Sequence, residues 1–353
     1  MGSEPVASFR QDPRAATARV LVLTRPMFRR GYIARALVVR ARLGVRSLII
    51  GMFGRLIGRR LQNGPLQVER SMIRGLGELG WQVDHNPFWA RGPWDLILVP
   101  NGLDAFHQAL DLRDKQKARI LIGGPNICNE TAQLGLEHHG GKPDFYIQPC
   151  EWARERLLQR SPQMPCPILV VPAGIDPKIW LGPPARQPTR RTLIYDKHAP
   201  SAVVDLCRAA ANKQGFAVTV VSYGGYNWRT YRTELAEVDA VIYLSSSESQ
   251  GITMFEAWAM DVPTFVYERE PRGASAMLSP SPYLCEETGA FFTEATELEA
   301  LLDSLAGGRC SCAPRNWIER NGTDVASVRR LVSLIDDPQL SSRLPGLASA
   351  PSR

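Results

Sequence analysis

The most informative stretch of the sequence is residues 240–267, AVIYLSSSESQGITMFEAWAMDVPTFVY. It starts with an apolar run ending near Leu244, passes through a polar loop at 245–251 and becomes helical near Ile252. A second apolar run follows Pro263. Short, continuous runs rich in Val, Ile and Leu are typical of parallel strands buried on both faces. The stretch therefore predicts a strand–loop–helix–strand unit of a parallel sheet.

The same alternation occurs in two series, separated by the Pro- and Gly-rich segment 173–190. The first series predicts strands at 19–23, 95–100, 119–122, 144–148 and 168–171, with helices at 65–79, 104–114 and 151–160. The second predicts strands at 192–195, 217–222, 240–244 and 264–267, with helices at 199–214, 228–236, 253–260, 294–305 and 323–336. Right-handed crossovers would join each series into a doubly wound sheet.

We therefore expect an α/β protein with two facing Rossmann-like domains. The predicted division is a flexible tail at 1–18, a first domain at 19–172 with a basic insert at 27–63, a linker at 173–190, a second domain at 191–322, a closing helix at 323–337 and a flexible tail at 338–353. Ligands of doubly wound sheets bind at the carboxyl ends of the strands, so the cleft between the domains is the expected site.

Composition excludes several classes of protein. The chain has 353 residues, a length that fits two domains, and 44% of them are hydrophobic, which excludes wholesale disorder. Its apolar runs are shorter than the ~18 residues of a membrane-spanning helix. The first residues lack the apolar core of a secretory signal. The seven cysteines have irregular spacing, so we expect reduced thiols and a cytoplasmic protein.

The positive charge is concentrated in one segment. The net charge is +7, yet the twelve Arg between Pro13 and Val68 stand without any Lys or acidic residue, which leaves the rest of the chain at −5. Such a distribution predicts a local anionic partner and argues against general nucleic-acid binding.

Two glutamates mark the polar loop and the helix after it. Seven residues separate Glu248 in the loop from Glu256 in the helix. Loop amides at a helix N-terminus bind anions, and Gly251 lets the backbone approach a ligand closely. A carboxylate one turn into the helix can accept hydrogen bonds from two vicinal hydroxyls, as on a ribose. The alternative to a binding role is that Glu256 is a solvated residue on the helix surface and Glu248 is a solvated charge in the loop.

The pattern S-S-x-E-S-Q-G-I-x-x-x-E-A-W-A-M-D-V-P at 245–263 resembles the E-x7-E donor-site signature of retaining GT-B-fold glycosyltransferases, close to family 4. The segments IGGPNI (122–127), FYIQPCEW (145–152) and VPAGID (171–176) resemble further motifs of that family. The resemblance implies the GT-B fold and a transfer of a sugar from a nucleotide-diphosphate-sugar to a glycan or lipid-linked acceptor, with retention of configuration.

Carried over by position, the resemblance implies a donor site. Glu256 would hold the ribose, Lys197 would neutralise the diphosphate, and Glu248 would hold the sugar hydroxyls. The remaining donor contacts would come from Ser249, Gln250, Gly251, Ile252, Tyr223, Gly224 and Gly64. The family usually has an Arg before the Lys, where this chain has Asp196. The alternatives to these donor roles are that Lys197 is a solvated charge and that Tyr223 belongs to the core.

On the acceptor side the expected residues are Asn126, Glu130 and His107, with a structural role as the alternative for His107. No D-x-D triplet occurs, which argues against transferases that bind diphosphate through a metal, so no metal and no cofactor are expected. A retaining transfer needs stabilisation of the leaving diphosphate, which Lys197 and a helix N-terminus would supply.

The basic insert places Arg35, Arg42, Arg46 and Arg60 within about 40° of each other on one helical face. Together with Leu, Ile and Phe, this pattern resembles an interfacial membrane segment and predicts peripheral contact with the inner face of an anionic membrane. An insert packed on its own domain is the alternative. For the whole chain, the alternatives are another GT-B activity, such as an epimerase or phosphorylase, and a non-catalytic nucleotide- or glycan-binding protein.

Overall fold

A computed structural model describes residues 18–27, 64–89, 91–128, 131–134, 136, 141–183, 188–269 and 278–336. These residues form two α/β domains, each built on one parallel sheet. Within the described ranges, none of the helices combines the length and apolar character needed to cross a bilayer.

The first domain contains a six-stranded sheet in the order β2-β1-β3-β4-β5-β6. Its strands are β1 (Arg19–Val22), β2 (Gln82–His85), β3 (Trp94–Asn101), β4 (Ala118–Asn126), β5 (Phe145–Gln148) and β6 (Ile168–Val170). Its helices are α1 (Gly64–Glu78), α2 (Leu103–Asp114) and α3 (Glu151–Arg160), with a 3-10 turn at Thr131–Leu134. Both faces of β3 are buried, which explains its nearly continuous apolar sequence.

The second domain contains a five-stranded sheet in the order β11-β10-β9-β7-β8. Its strands are β7 (Arg191–Asp196), β8 (Ala217–Ser222), β9 (Ala240–Leu244), β10 (Thr264–Tyr267) and β11 (Gly289–Phe292). Its helices are α4 (Ser201–Lys213), α5 (Trp228–Ala236), α6 (Ile252–Ala259), α7 (Ala295–Ala306) and α8 (Pro314–Asn321), and the last helix is α9 (Asp324–Ile335).

The predicted α/β class with two parallel sheets is confirmed by these strand orders. The sequence did not predict β2, β11 or α8. Strand β2 lies at the edge of its sheet, and none of its four residues is fully buried, so it carries no apolar run. Strand β11 is also an edge strand of four residues and begins with Gly289. Short edge strands give a weak hydrophobic pattern.

The last helix crosses back to the first domain. Thr323 is the N-cap of helix α9, and its side chain accepts a hydrogen bond from Ala326 N at 3.1 Å. Its residues Val328, Leu331 and Ile335 are buried in the same core cluster as Val20 and Val22 of β1. Helix α9 therefore completes the core of the first domain.

Helix α1 packs against the start of α9 at Gly75, and a substitution there tests this packing. A Cβ atom at Gly75 would lie 2.3 Å from the Asp324 carbonyl oxygen and 2.6 Å from Val328 Cγ2. We expect Gly75→Ala to lower the free energy of unfolding by about 1–3 kcal/mol, because backbone must move to admit the methyl group. Urea unfolding measures the change.

Gly77 in the same helix provides a matched control, because a Cβ there meets nothing within 4 Å. Gly77→Ala should stabilise the protein by up to about 1 kcal/mol through helix propensity. Equal stabilities of the two variants would contradict the close packing of α1 against α9.

Candidate functional site

The site lies where the strand order of the second sheet reverses. Strand β7 has β8 on one side and β9 on the other, so the loops after β7 and β9 leave the sheet in opposite directions. Such a switch point opens a crevice at the carboxyl ends of the strands. Lys197 follows β7, and the loop 245–251 follows β9. Lys197 N donates to Leu244 O at 2.9 Å, which holds the two strand ends together.

The Glu248 carboxylate is the most heavily bonded group in this crevice. Its Oε1 accepts hydrogen bonds from Lys197 Nζ at 2.7 Å, Tyr243 OH at 3.0 Å and Ser245 Oγ at 3.2 Å. The side chains of Lys197 and Glu248 are 27% and 11% exposed. Lys197 Nζ also lies 5.0 Å from the ring centre of Tyr223. The structure therefore brings together three residues that the sequence placed in the donor site.

The loop that carries Glu248 is held from both domains. Trp152 Nε1 of α3 donates to Glu248 O at 3.0 Å, while Glu248 N donates to Ser279 O at 2.9 Å. The backbone of the loop is thus fixed on both sides, which keeps the carboxylate in one position. The loop ends at Gly251 with a φ of +79°, a left-handed conformation that favours glycine and starts α6.

Glu256 lies on α6 and is only 7% exposed. None of the hydrogen bonds or ion pairs formed among the described residues involves its carboxyl group. Burial raises the pKa of Glu256 to about 8, so the group holds a proton at neutral pH. Hydroxyl groups of a ligand would supply the hydrogen bonds that this carboxyl lacks.

A tyrosine cluster surrounds the two glutamates. The Tyr195 and Tyr243 rings stack with centres 4.7 Å apart, and Tyr195 OH lies 3.1 Å from Tyr226 OH. Tyr231 OH donates to Thr253 O at 3.0 Å. Burial raises the pKa values of Tyr195, Tyr226 and Tyr231, and the nearby Glu256 adds a smaller upward contribution, so its carboxyl lies close to the three side chains. Sequence analysis did not predict this cluster, because its members come from separate elements.

Gln250 has a different environment from that of Glu248. Its side chain is buried, and its amide forms two hydrogen bonds with the backbone of Ala173: Oε1 accepts from the nitrogen at 2.8 Å, and Nε2 donates to the oxygen at 2.6 Å. The amide thus joins the loop to the linker between the domains, whereas a donor contact was predicted from the sequence.

The remaining predicted donor residues lie around the loop. Ser249 is exposed, and Ile252 is half-buried at the start of α6. A Cβ at Gly64 would lie 3.7 Å from Ile252 Cδ1, so the start of α1 lies close to the start of α6. Tyr223 is 53% exposed, and Gly224 has a φ of +78° in the turn after β8.

The predicted acceptor-side residues are dispersed. Asn126 ends β4 and is exposed, while His107 Nε2 lies 2.7 Å from Leu134 O. Glu130 lies outside the described residues, as do Arg35, Arg42, Arg46 and Arg60.

The structure adds a polar group that sequence reasoning missed. His85 Nε2 lies 2.6 Å from Glu69 Oε1, and the neighbouring Asn86 accepts a hydrogen bond from Thr24 N at 2.9 Å. Thr24, His85 and Asn86 lie at the carboxyl ends of β1 and β2, on the side of the sheet where ligands bind, and Glu69 of α1 lies beside them. Glu69 and His85 are sixteen positions apart in the sequence and meet only through the packing of α1 on β2. Within the described ranges, no cluster of three or more His, Cys, Asp or Glu has the arrangement of a metal site.

Comparisons with known proteins give structural similarity at low sequence identity. No protein-family model matches the chain, and no curated protein matches its sequence. TarM has a TM-score of 0.48 at 12% identity over 69% of this chain, and this chain spans about half (55%) of TarM. The lipopolysaccharide outer core galactosyltransferase WaaB has a TM-score of 0.43 at 12% identity over 90% of this chain and 99% of WaaB. Anabaena HepE in complex with UDP-glucose has a TM-score of 0.47 at 11% identity over 90% of this chain and 99% of HepE.

The buried carboxyl of Glu256 predicts a pH-dependent stability. Its pKa in the folded protein, about 8, lies above the ordinary value of 4.5, so its contribution to stability is present below pH 4.5 and is lost as the pH rises towards 8. Glu256→Gln removes this dependence. From pH 5 to 8 the variant should gain stability relative to wild type by up to about 1.4 kcal/mol per pH unit.

Urea unfolding at several pH values measures this difference. The control is Glu155→Gln, which changes an exposed glutamate of α3 and should follow the wild-type pH profile. A constant difference between Glu256→Gln and wild type over this range would show that Glu256 ionises as an exposed carboxyl does.

Proposed function

We propose that the chain is a glycosyltransferase that moves a sugar from a nucleotide-diphosphate-sugar to a glycan or lipid-linked acceptor with retention of configuration and without a metal. The observation that carries the proposal is the pairing of Lys197 and Glu248 at the switch point of the second sheet, with Glu256 one helix turn beyond. One crevice therefore contains a cation that can bind a diphosphate and two carboxyl groups that can bind hydroxyls.

In this proposal Lys197 changes partner when the donor binds. Its ammonium group neutralises Glu248 in the free protein and contacts the diphosphate in the complex, where it stabilises the charge of the leaving nucleotide. Glu248 is then free to accept hydrogen bonds from the sugar, while Tyr243 and Ser245 keep its carboxylate in place. The N-terminal amides of α6 supply further positive potential.

Glu256 binds the ribose hydroxyls in this proposal. Its carboxyl is protonated near neutral pH and can both donate and accept a hydrogen bond, which suits a pair of vicinal hydroxyls. The start of α1 at Gly64 lies close to Ile252 at the start of α6, so the first domain would close over the diphosphate. The acceptor would enter from the first domain, whose sheet presents Asn126, His85 and Glu69 at or beside its carboxyl edge.

Nucleotide binding tests the donor site. UDP, GDP and ADP are added separately, and we expect one of them to raise the melting temperature, because a ligand at 100 times its Kd stabilises the folded state by about 2.7 kcal/mol. Lys197→Met should weaken that nucleotide at least about tenfold through loss of a charge-assisted hydrogen bond. Calorimetric titration measures the Kd.

Lys213→Met is the matched control, since Lys213 pairs with Glu299 on helices outside the crevice. It should leave the Kd unchanged. If none of the three nucleotides shifts the melting temperature, the proposed donor site is wrong.

The non-catalytic alternative is separated from the enzyme by product analysis. A transferase should release nucleotide from its sugar donor, slowly with water and faster with its acceptor, whereas a binding protein should release none. The anomeric configuration of the first product, observed by NMR spectroscopy, decides between retention and inversion. An unchanged rate after addition of EDTA is expected for a metal-independent reaction.

The basic insert at 27–63 generates a separate prediction. We propose that its Arg residues bind an anionic membrane surface, because nine Arg with no Lys or acidic residue among them attract acidic lipids at low salt. The protein should sediment with vesicles of phosphatidylglycerol, and 0.5 M NaCl should release it. Replacing Arg35, Arg42, Arg46 and Arg60 with Gln should weaken sedimentation, and failure of the wild type to pellet at low salt would contradict membrane contact.

A further inference from the structure

The start of helix α3 contacts the second domain at two points. Trp152, in the first turn of the helix, donates from Nε1 to Glu248 O at 3.0 Å. Just before the helix begins, Pro149 O accepts a hydrogen bond from Tyr283 OH. Each bond joins a side chain of one domain to a backbone carbonyl of the other. The start of α3 is therefore fixed against the second domain.

A short segment of the second domain connects these two points. Ser279 O accepts a hydrogen bond from Glu248 N at 2.9 Å, and Tyr283 follows four positions later. Between them, Ser281 Oγ donates to Met254 Sδ at 2.9 Å, which attaches the segment to α6. The same segment thus supports the loop that carries Glu248 and the start of α3.

The partners of Glu248 come from both domains. Those of its own domain bind Oε1 and the backbone nitrogen, and they are Lys197, Tyr243, Ser245 and Ser279. Among the described residues, Trp152 is the partner that the first domain supplies to Glu248. The bond to the Glu248 carbonyl therefore depends on how the two domains meet, whereas the others do not.

The two backbone bonds of Glu248 determine where its carboxylate points. They hold the peptide units on either side of its Cα, one through the nitrogen and one through the carbonyl. Because a peptide unit is planar, fixing both units fixes the direction in which the side chain leaves the backbone. Trp152 thus acts on the carboxylate through the backbone. Lys197 and Glu256, in contrast, are placed by β7 and α6 of the second domain.

We propose that Trp152 is a positioning residue through which the first domain controls the sugar-binding carboxylate of Glu248. The inference rests on the proposed donor site, in which Glu248 binds the sugar while Lys197 and Glu256 bind the nucleotide. The second domain then binds the nucleotide by itself, and the sugar is bound tightly only when the start of α3 lies against the loop.

The alternative is that Trp152 only joins the two domains. Loss of its hydrogen bond would then lower stability and would affect a nucleotide and its sugar ester to the same extent. A positioning role predicts an effect on the ester alone. The ratio of the two dissociation constants therefore separates the two roles.

Trp152→Phe removes the N–H donor and keeps an aromatic ring. The test uses UDP, GDP and ADP together with their glucose, galactose, mannose and N-acetylglucosamine esters. For the ester that the wild type binds most tightly, we expect the variant to raise the Kd about fivefold, because a hydrogen bond between neutral groups changes an equilibrium constant about two- to tenfold. The Kd of the corresponding free nucleotide should stay unchanged. Calorimetric titration measures both constants.

Trp94→Phe is the matched control. Trp94 Nε1 donates to Asp84 Oδ2 at 2.7 Å, and the residue lies at the first position of β3, at the opposite end of the strand from the crevice. The control variant also loses an indole hydrogen bond of the first domain, so it should lower the melting temperature. Both dissociation constants should remain those of the wild type.

A double-mutant cycle shows whether Trp152 acts through Glu248. In the Glu248→Ala background, Trp152→Phe should have no further effect on the Kd of the ester, because the carboxylate that it positions is missing. If Trp152→Phe does not fold, Tyr283→Phe carries the same test, since it removes the other bond at the start of α3 and should also weaken the ester alone.

Three results would overturn the proposal. They are an unchanged Kd of the ester in Trp152→Phe, an equal weakening of ester and free nucleotide, and an effect of the same size in the Glu248→Ala background. A wild type that binds none of the three nucleotides would instead contradict the proposed donor site, so the two failures are distinguishable.

Discussion

The short buried segment 172–175 determines how the two domains meet. Its backbone passes between them out of contact with water, so its amide groups require partners within the protein. Both polar groups of Ala173 bond to Gln250 of the second domain, while Gly174 N donates to Ser71 Oγ of the first at 2.6 Å. Each domain therefore supplies one side of the same hydrogen-bond set, and the crevice takes its shape from it.

The position of the loop 245–251 depends on this junction as well. Gln250 is two residues from Glu248, and Trp152 of the first domain binds the carbonyl of Glu248. The position of the carboxylate is thus set by contacts that cross the domain boundary, in addition to those of its own sheet. The buried amide of Gln250 contributes more to stability than an exposed amide would, because its loss would leave the buried backbone groups of Ala173 without partners.

The sequence predicted the parts of this molecule that local pattern determines. The apolar runs of the central strands gave the two sheets, and the order of strand, loop and helix placed Glu248 and Glu256 at the same strand end. Contacts between distant segments gave no such signal. The ion pair of Lys197 with Glu248, the pairing of Glu69 with His85 and the bonds of Gln250 to Ala173 all require the tertiary fold.

The return of α9 to the first domain has a mechanical consequence. Within the described ranges the chain crosses between the domains twice, and the two crossings lie side by side, since Ile175 and Thr323 form a parallel bridge. Arg74 holds the second crossing to α1 through Asp324 at 2.6 Å. Because the two crossings are adjacent and bonded to each other, they resist a twist of one domain against the other more than a single connection would.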